Sequence, residues 1–167
     1  MVNVIRRISN ERIRKWYDGN IDHTFLHELV TRYNKEGYTF NYELGLMFRG
    51  QFSEDIISRL GYSIIDIIFP RPVDFHRHED VDEALSVLKG NGALYIVEEG
   101  RDVQENFSPG KQVFVPKNTP HSFRPNKNDC LEIRLACSGI LNPEKEICLQ
   151  SFDTFPPWLE YYSKPLV

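Results

Sequence analysis

The stretch His76–Gly90, HRHEDVDEALSVLKG, puts two histidines, a glutamate and an alternating apolar run into one short segment. Successive side chains of an extended strand point to opposite faces, so His76 and His78, one residue apart, present both imidazoles on the same side. The acidic turn EDVD follows, and Glu83 then opens ALSVL, whose alternation reads as the next antiparallel strand. A carboxylate there can turn toward the side of the two rings. His121 comes later, just after the turn PKNTPH, which can reset the chain for a further strand.

Working outward, short runs rich in β-branched and aromatic residues lie on both sides. YELGLMF and YSIIDIIF precede the segment; ALYIV, QVFV, HSF, LEIRLAC and EICLQSF follow it, with Gly, Pro and Asn between them. No intervening helix is long enough for a crossover, so an antiparallel sandwich or closed barrel is favoured over a parallel α/β sheet. Residues 1–40 read differently, as a helical extension. Ser9 or Asn10 can cap a short helix through Tyr17. Asp22 can cap a second, on which Phe25, Leu26, Leu29, Val30 and Tyr33 share one face before Gly37 stops it. The expected organisation is this extension, a β domain over 41–154, and an arm over 155–167 carrying Trp158, Tyr161 and Tyr162; SEDIISRL, 53–60, reads as a helical turn between strands.

Composition narrows the function. The 167 residues carry 20 Lys+Arg against 24 Asp+Glu, a net charge of −4, which disfavours extended contact with a polyanion, so no nucleic-acid partner is expected. The apolar windows are far shorter than the roughly 20 residues a bilayer-crossing helix needs, so no membrane span is expected either. Cys130, Cys137 and Cys148 are odd in number and lack CxxC spacing, which fits buried thiols in a reducing compartment. Arg6, Arg7, Arg12 and Arg14 stand where a secretory leader would be apolar, and a cytoplasmic location is expected.

His76, His78, Glu83 and His121 together make a nitrogen and oxygen donor set suited to one divalent Fe, Mn, Ni or Zn ion. Four such ligands on an octahedral ion leave two adjacent positions open. The same residues carry a family resemblance. His76-Arg77-His78, then Glu83, then Gly90 resembles the first motif of the cupin superfamily, and Gly110, Pro116 and His121 resemble the second. Three positions depart from the pattern: Pro70 and Asn118 replace glycines, and Pro125 stands where the motif ends in Asn. All are turn positions, and Asn accepts a positive φ nearly as well as Gly. The resemblance covers about residues 62–137. It implies an all-β cupin jelly-roll β-barrel that binds a metal through the four residues named, and commonly a homodimer, for which the helical extension and the aromatic arm offer surface.

A cupin of this kind would hold a small-molecule, oxygen-rich substrate, with Glu83 the ligand expected to be catalytic as well as structural. A dioxygenase or oxidase is expected ahead of a sugar isomerase or epimerase, because no second general base stands out. A non-enzymatic, metal-dependent sugar-binding protein is the alternative. Phe123 shares His121's strand parity and is a candidate substrate-pocket wall, joined by Tyr95 and Arg134. Glu132 and Arg134 share one face of LEIRLAC and either point to solvent or line the pocket as a pair; the apolar opposite face favours solvent. His23 and His27, four apart on the second helix, read as surface or capping residues. Arg6, Arg7, Arg12, Arg14 and Lys15 read as a solvated helix face beneath which Ile8, Ile13 and Trp16 pack.

Overall fold

Residues 10–50, 61–141 and 145–150 are described in the computed structural model of the chain. SEDIISRL at 53–60, the arm at 155–167 and the basic residues Arg6 and Arg7 lie outside them. Asn10 caps α1 (Glu11–Asn20) by accepting the Ile13 amide at 3.2 Å, and Asp22 caps α2 (His23–Lys35) by accepting from Thr24 and Phe25. These acceptors take up amide hydrogens that a first helical turn cannot pair internally. α1 continues past Tyr17 to Asn20. α2 stops where Gly37 takes φ 88° and the Gly37 and Tyr38 amides donate to the Asn34 and Tyr33 carbonyls, a left-handed turn that glycine makes without a Cβ clash.

The strands are β1 (Thr39–Asn41), β2 (Leu46–Gly50), β3 (Ser63–Phe69), β4 (Phe75–Arg77), β5 (Glu83–Lys89), β6 (Gly92–Glu98), β7 (Arg101–Phe107), β8 (Gln112–Val115), β9 (His121–Pro125), β10 (Leu131–Cys137) and β11 (Ile147–Gln150). They form two antiparallel sheets, β1-β2-β3-β10-β5-β8 and β11-β4-β9-β6-β7. No ladder joins the two sheets among the described residues, so the expected closed barrel is corrected to a two-sheet sandwich. The sheets meet face to face through side chains instead.

Alternation along β3 assigns its two faces. Ile65, Ile67 and Phe69 point inward with Leu85, Val87, Ile133 and Leu135 of the same sheet, against Leu94, Ile96, Phe107 and Phe123 of the other. Ile68 points outward and is buried with Met47 under Leu26, Leu29, Val30 and Tyr33 of α2 and Ile13 and Tyr17 of α1. The molecule is therefore layered as helices, sheet and sheet. Two polar locks hold the helical layer: Tyr17 Oη donates to the Gly45 carbonyl at 2.6 Å, and Tyr38 and Tyr33 donate to the buried Glu132 carboxylate at 2.9 and 3.3 Å. Asp66, also outward, sits between Arg49 and Arg134 at 3.0 and 2.8 Å; burial alone would raise its pKa, and the two guanidiniums hold it below the usual carboxylate value.

Gly90, a position of the first motif, links β5 to β6 with φ 89°, and a Cβ there would fall 1.8 Å from the Cys130 carbonyl oxygen. Neither the backbone nor β10 can yield that distance. Gly90→Ala is expected to destabilise the fold by ~2 kcal/mol or more. Urea unfolding reads this directly, and an unchanged midpoint would contradict it.

Candidate metal centre

The first-motif segment crosses from one sheet to the other. His76 lies on β4 in the second sheet, paired across the ladder with His121 of β9, while Glu83 opens β5 in the first sheet, between Val115 and Cys137. His78 stands on the connection. Loop 78–82 is pinned by the loop carrying the second motif: Asn118 donates its amide to the His78 carbonyl at 2.6 Å, and Lys117 donates to the Asp82 carboxylate at 2.8 Å. Ser138 closes the other side, its hydroxyl accepting from the Asp82 amide at 2.9 Å. Asn118 takes φ 63°, the left-handed conformation that Asn tolerates and that the motif glycine would otherwise supply.

These constraints converge four buried side chains. Ligand atoms of His76, His78 and His121 lie within 4.8 Å of one another. The Glu83 carboxylate reaches the cluster, with Oε2 3.1 Å from His121 Nε2 and Oε1 3.4 Å from His78 Nε2. His76 Nδ1 lies 2.5 Å from the Asp74 carbonyl and His121 Nδ1 2.9 Å from that of Thr119. A carbonyl can only accept, so both rings carry hydrogen on Nδ1 and turn the Nε2 lone pair inward. The consequence is decisive for ligation. Glu83 Oε2 and His121 Nε2 are buried without a hydrogen-bond partner although they face each other. Two acceptors at that separation repel unless a cation lies between them, and a divalent metal ion or a proton is the cation that fits.

In the absence of metal the proton takes that role. Burial favours neutral forms throughout, yet the hydrogen bond and charge of Glu83 raise His121, and His121 and His78 hold Glu83 below the usual carboxylate value. Burial, reinforced by the neighbouring rings, pushes His76 well down and His78 down. At neutral pH these two rings are uncharged and ready to ligate.

Residues 71–135 match the family model described as Cupin domain. This segment belongs to the cupin superfamily. Oxalate decarboxylase from Bacillus subtilis, in a variant form, aligns with the chain at TM-score 0.55 and 19% identity over 71% of this chain and 32% of that one. A second structure of the same enzyme gives TM-score 0.57 at 16% identity, over 75% and 34%. A Streptomyces PAC13 variant with uridine gives 0.51 at 15% identity, over 69% and 86%. The chain spans about a third of the length of the oxalate decarboxylase chains it matches. No curated protein sequence matches it.

The other pocket candidates divide. Phe123 lies inside the cupin domain, its ring centroid 6.1 Å from that of His121 and 6.5 Å from that of His76. Tyr95 has the opposite parity on β6: Ile96 pairs with His121, while Tyr95 pairs with Ser122 and packs with Ala93 and Phe75 on the outer face. Arg134 is also outward, half exposed and paired with Asp66, away from the histidines. Tyr95 is thereby corrected as a pocket candidate by strand parity, and Arg134 takes the outward orientation that the apolar opposite face of its strand favoured. His23 is exposed beside Asp18 at 3.3 Å and His27 is exposed, both apart from the cluster. Cys130 and Cys137 are buried, with thiols pushed by burial up to about 11 and about 12. Cys148, expected to be buried, is exposed, because β11 is the outermost strand of its sheet.

Sequence reading missed Glu146. Its Oε1 lies 3.8 Å from His76 Nδ1, and burial together with the Asp74 charge raises its pKa to about 7. Nothing in EICLQSF marked it, since its approach to His76 depends on β11 pairing with β4.

The shared proton makes metal uptake pH-dependent. Below the raised pKa of His121 each ion bound must displace one proton, so affinity is expected to rise up to about tenfold per pH unit there and to level off above it. At lower pH, protonation of His78 and then His76 steepens the loss. Equilibrium dialysis with Zn(II) from pH 5 to 8 checks this, with close to one ion per chain expected at the upper end. The double change His76→Ala, His78→Ala should abolish uptake while the near-UV circular dichroism persists; equal metal content in the two proteins would refute the site.

Proposed function

We propose that the protein is a metal-dependent cupin enzyme of the dioxygenase or oxidase type, acting on a small organic acid. The observation that carries this reading is the pair of facing acceptors, Glu83 Oε2 and His121 Nε2, completed by the inward lone pair of His76 and by the His78 ring, whose Nε2 lies 3.4 Å from Glu83 Oε1. A divalent ion held there supplies Lewis acidity and open positions for an oxygen-rich ligand. Three neutral imidazoles and one carboxylate leave such a site with one net positive charge. Burying that charge is costly without a counter-charge, which favours an anionic ligand over a neutral sugar.

The chain's own residues divide the remaining work. Phe123, T-stacked on Phe69 with centroids 4.6 Å apart, forms an apolar wall beside the histidines that excludes water from one side of the ligand. Glu83 sets the charge of the site and is the group placed to take a proton from a bound acid. Likeness to oxalate decarboxylase, in one instance studied for its Mn(II) centres, supports the fold, and the donor set supports the metal. One observation favours a second reading, an isomerase or epimerase. Glu146, with its pKa raised to about 7, is the additional base such chemistry needs. It lies on the Nδ1 side of His76, behind the ring and away from the inward lone pair, which ranks this reading second.

Oxygen consumption by Fe(II)-loaded protein with a panel of small acids and diketones tests the assignment. Turnover of an acid only with oxygen supports it, oxygen-independent isomerisation of a sugar supports the second reading, and ligand binding without turnover reduces the protein to a binding module. Glu83→Gln keeps one oxygen donor while deleting the charge; metal should bind more weakly but detectably, and activity per bound metal should fall by ~10²-fold or more. Parental activity per bound metal would remove Glu83 from the chemistry.

A homodimer is part of the same proposal, supported by the outer strands of both sheets, which pair on one side only among the described residues, and by outward apolar residues such as Phe114, 60% exposed on β8. Light scattering at micromolar concentration should give twice 19.6 kDa, and the mass of one chain would overturn it.

A further inference from the structure

The strand that carries His76 is short. β4 spans Phe75–Arg77, pairs with β11 at three register positions and meets β9 at one, His76 with His121. The segment leading into it, which precedes both ladders, is fixed by other means. Val73 donates its amide to the Phe123 carbonyl at 3.0 Å, the Ser122 hydroxyl donates to the Val73 carbonyl at 2.6 Å, and the buried Arg71 donates to the Leu44 and Pro72 carbonyls. Asp74 comes next. Its carbonyl is the group that accepts from His76 Nδ1 and so sets the rotation of that ring.

The side chain of Asp74 is gripped from the helical layer. Arg12 on α1 presents its two terminal nitrogens to the two carboxylate oxygens, at 2.6 and 2.9 Å, across 62 residues of sequence. Both side chains are largely covered, with 28% and 17% exposure. A planar guanidinium fork on a carboxylate fixes orientation as well as distance, which a lysine ammonium cannot do. We propose that Arg12 is a positioning residue of the metal centre: by holding Asp74 it orients the carbonyl that aims His76, making the N-terminal helix a working part of the site. The inference rests on the metal reading above. It also replaces the expectation of a purely solvated basic face, since Arg12 turns inward while Arg14 and Lys15 on the same helix are exposed.

Co(II) titration of the full chain tests this, because the visible spectrum reports ligand geometry, which a general loss of stability does not reshape. Arg12→Ala is expected to weaken Co(II) binding about tenfold and to alter the visible bands. Asp74→Asn, which keeps the carbonyl and deletes the ion pair, should do the same, and the double variant should lose no more than either single change. Arg12→Lys should fall between parent and Arg12→Ala, while Lys15→Ala, removing an exposed pair with Glu11, should bind as the parent does. If Arg12→Ala fails to fold by circular dichroism, Asp74→Asn and Arg12→Lys carry the comparison. Parental affinity and spectrum in the Arg12 and Asp74 variants, or fully additive losses in the double variant, would overturn the positioning role and leave the metal site standing. Absence of Co(II) uptake by the parent would overturn the metal reading itself, and the inference with it.

Discussion

A buried carboxylate oxygen and a buried imidazole nitrogen, both acceptors, face each other 3.1 Å apart, and that conflict organises the centre of the molecule. It persists only because each group is held from behind. The Nδ1 edge of His121 is tied to the Thr119 carbonyl, so the ring cannot flip to offer a hydrogen. Glu83 is fixed at the start of β5 between two ladders, so the carboxylate cannot swing to solvent. Left alone, an uncompensated pair of this kind costs several kcal/mol. A cation removes the cost, and whether it is a proton or a metal is set by their competition, which turns a packing problem into a binding site.

Holding both partners in place requires the sheets to stay in register with one another, and the layered architecture supplies that. Inward residues of β3, β10 and β5 interlock with β6, β7 and β9, and the helical layer covers the far side of the first sheet. Glu132 shows how that layer is fastened. It points away from the histidine cluster, is buried, and receives both tyrosine hydroxyls of the α2 end, while Lys89 lies 3.8 Å from its carboxylate. Burial and the adjacent carboxylate both raise the pKa of Tyr33 and Tyr38, so both remain protonated donors over the whole physiological range.

What the sequence disclosed follows from how local each signal is. Glu83 opening a strand, Gly90 at a turn, Asn118 with a positive φ, the cap at Asp22 and that at Asn10, one of two candidates, were readable because each is decided within a few residues. β7 was not, since RDVQENF buries Phe107 alone and is polar along an outer edge where alternation has no core to serve. Tyr95 was misplaced because parity cannot be carried across the Gly90-Asn91-Gly92 turn, and a slip of one residue reverses every side chain. Glu132 escaped both readings offered for it, solvent or pocket, since a third layer covers that face. Closure into a barrel was likewise beyond the strand pattern, which is the same for a sandwich.

The groups that aim the clustered histidines were the least legible, and the reason is chemical. His76 and His121 each donate a hydrogen bond from Nδ1 to the main-chain carbonyl two residues earlier, at Asp74 and Thr119. Any amino acid has a carbonyl, so no residue type announces the role. What the sequence must specify instead is the path of the chain through those positions. Near His121 that falls to Asn118, whose φ of 63° turns the loop and whose amide reaches the His78 carbonyl. Near His76 no such turn exists, and the path is set by side chains that bridge to other layers, Arg71 to the Leu44 carbonyl and Arg12 to Asp74. The second solution couples the site to the helical layer, whereas the first keeps it within the cupin domain. A change in how α1 sits would therefore reach His76 before it reached His121.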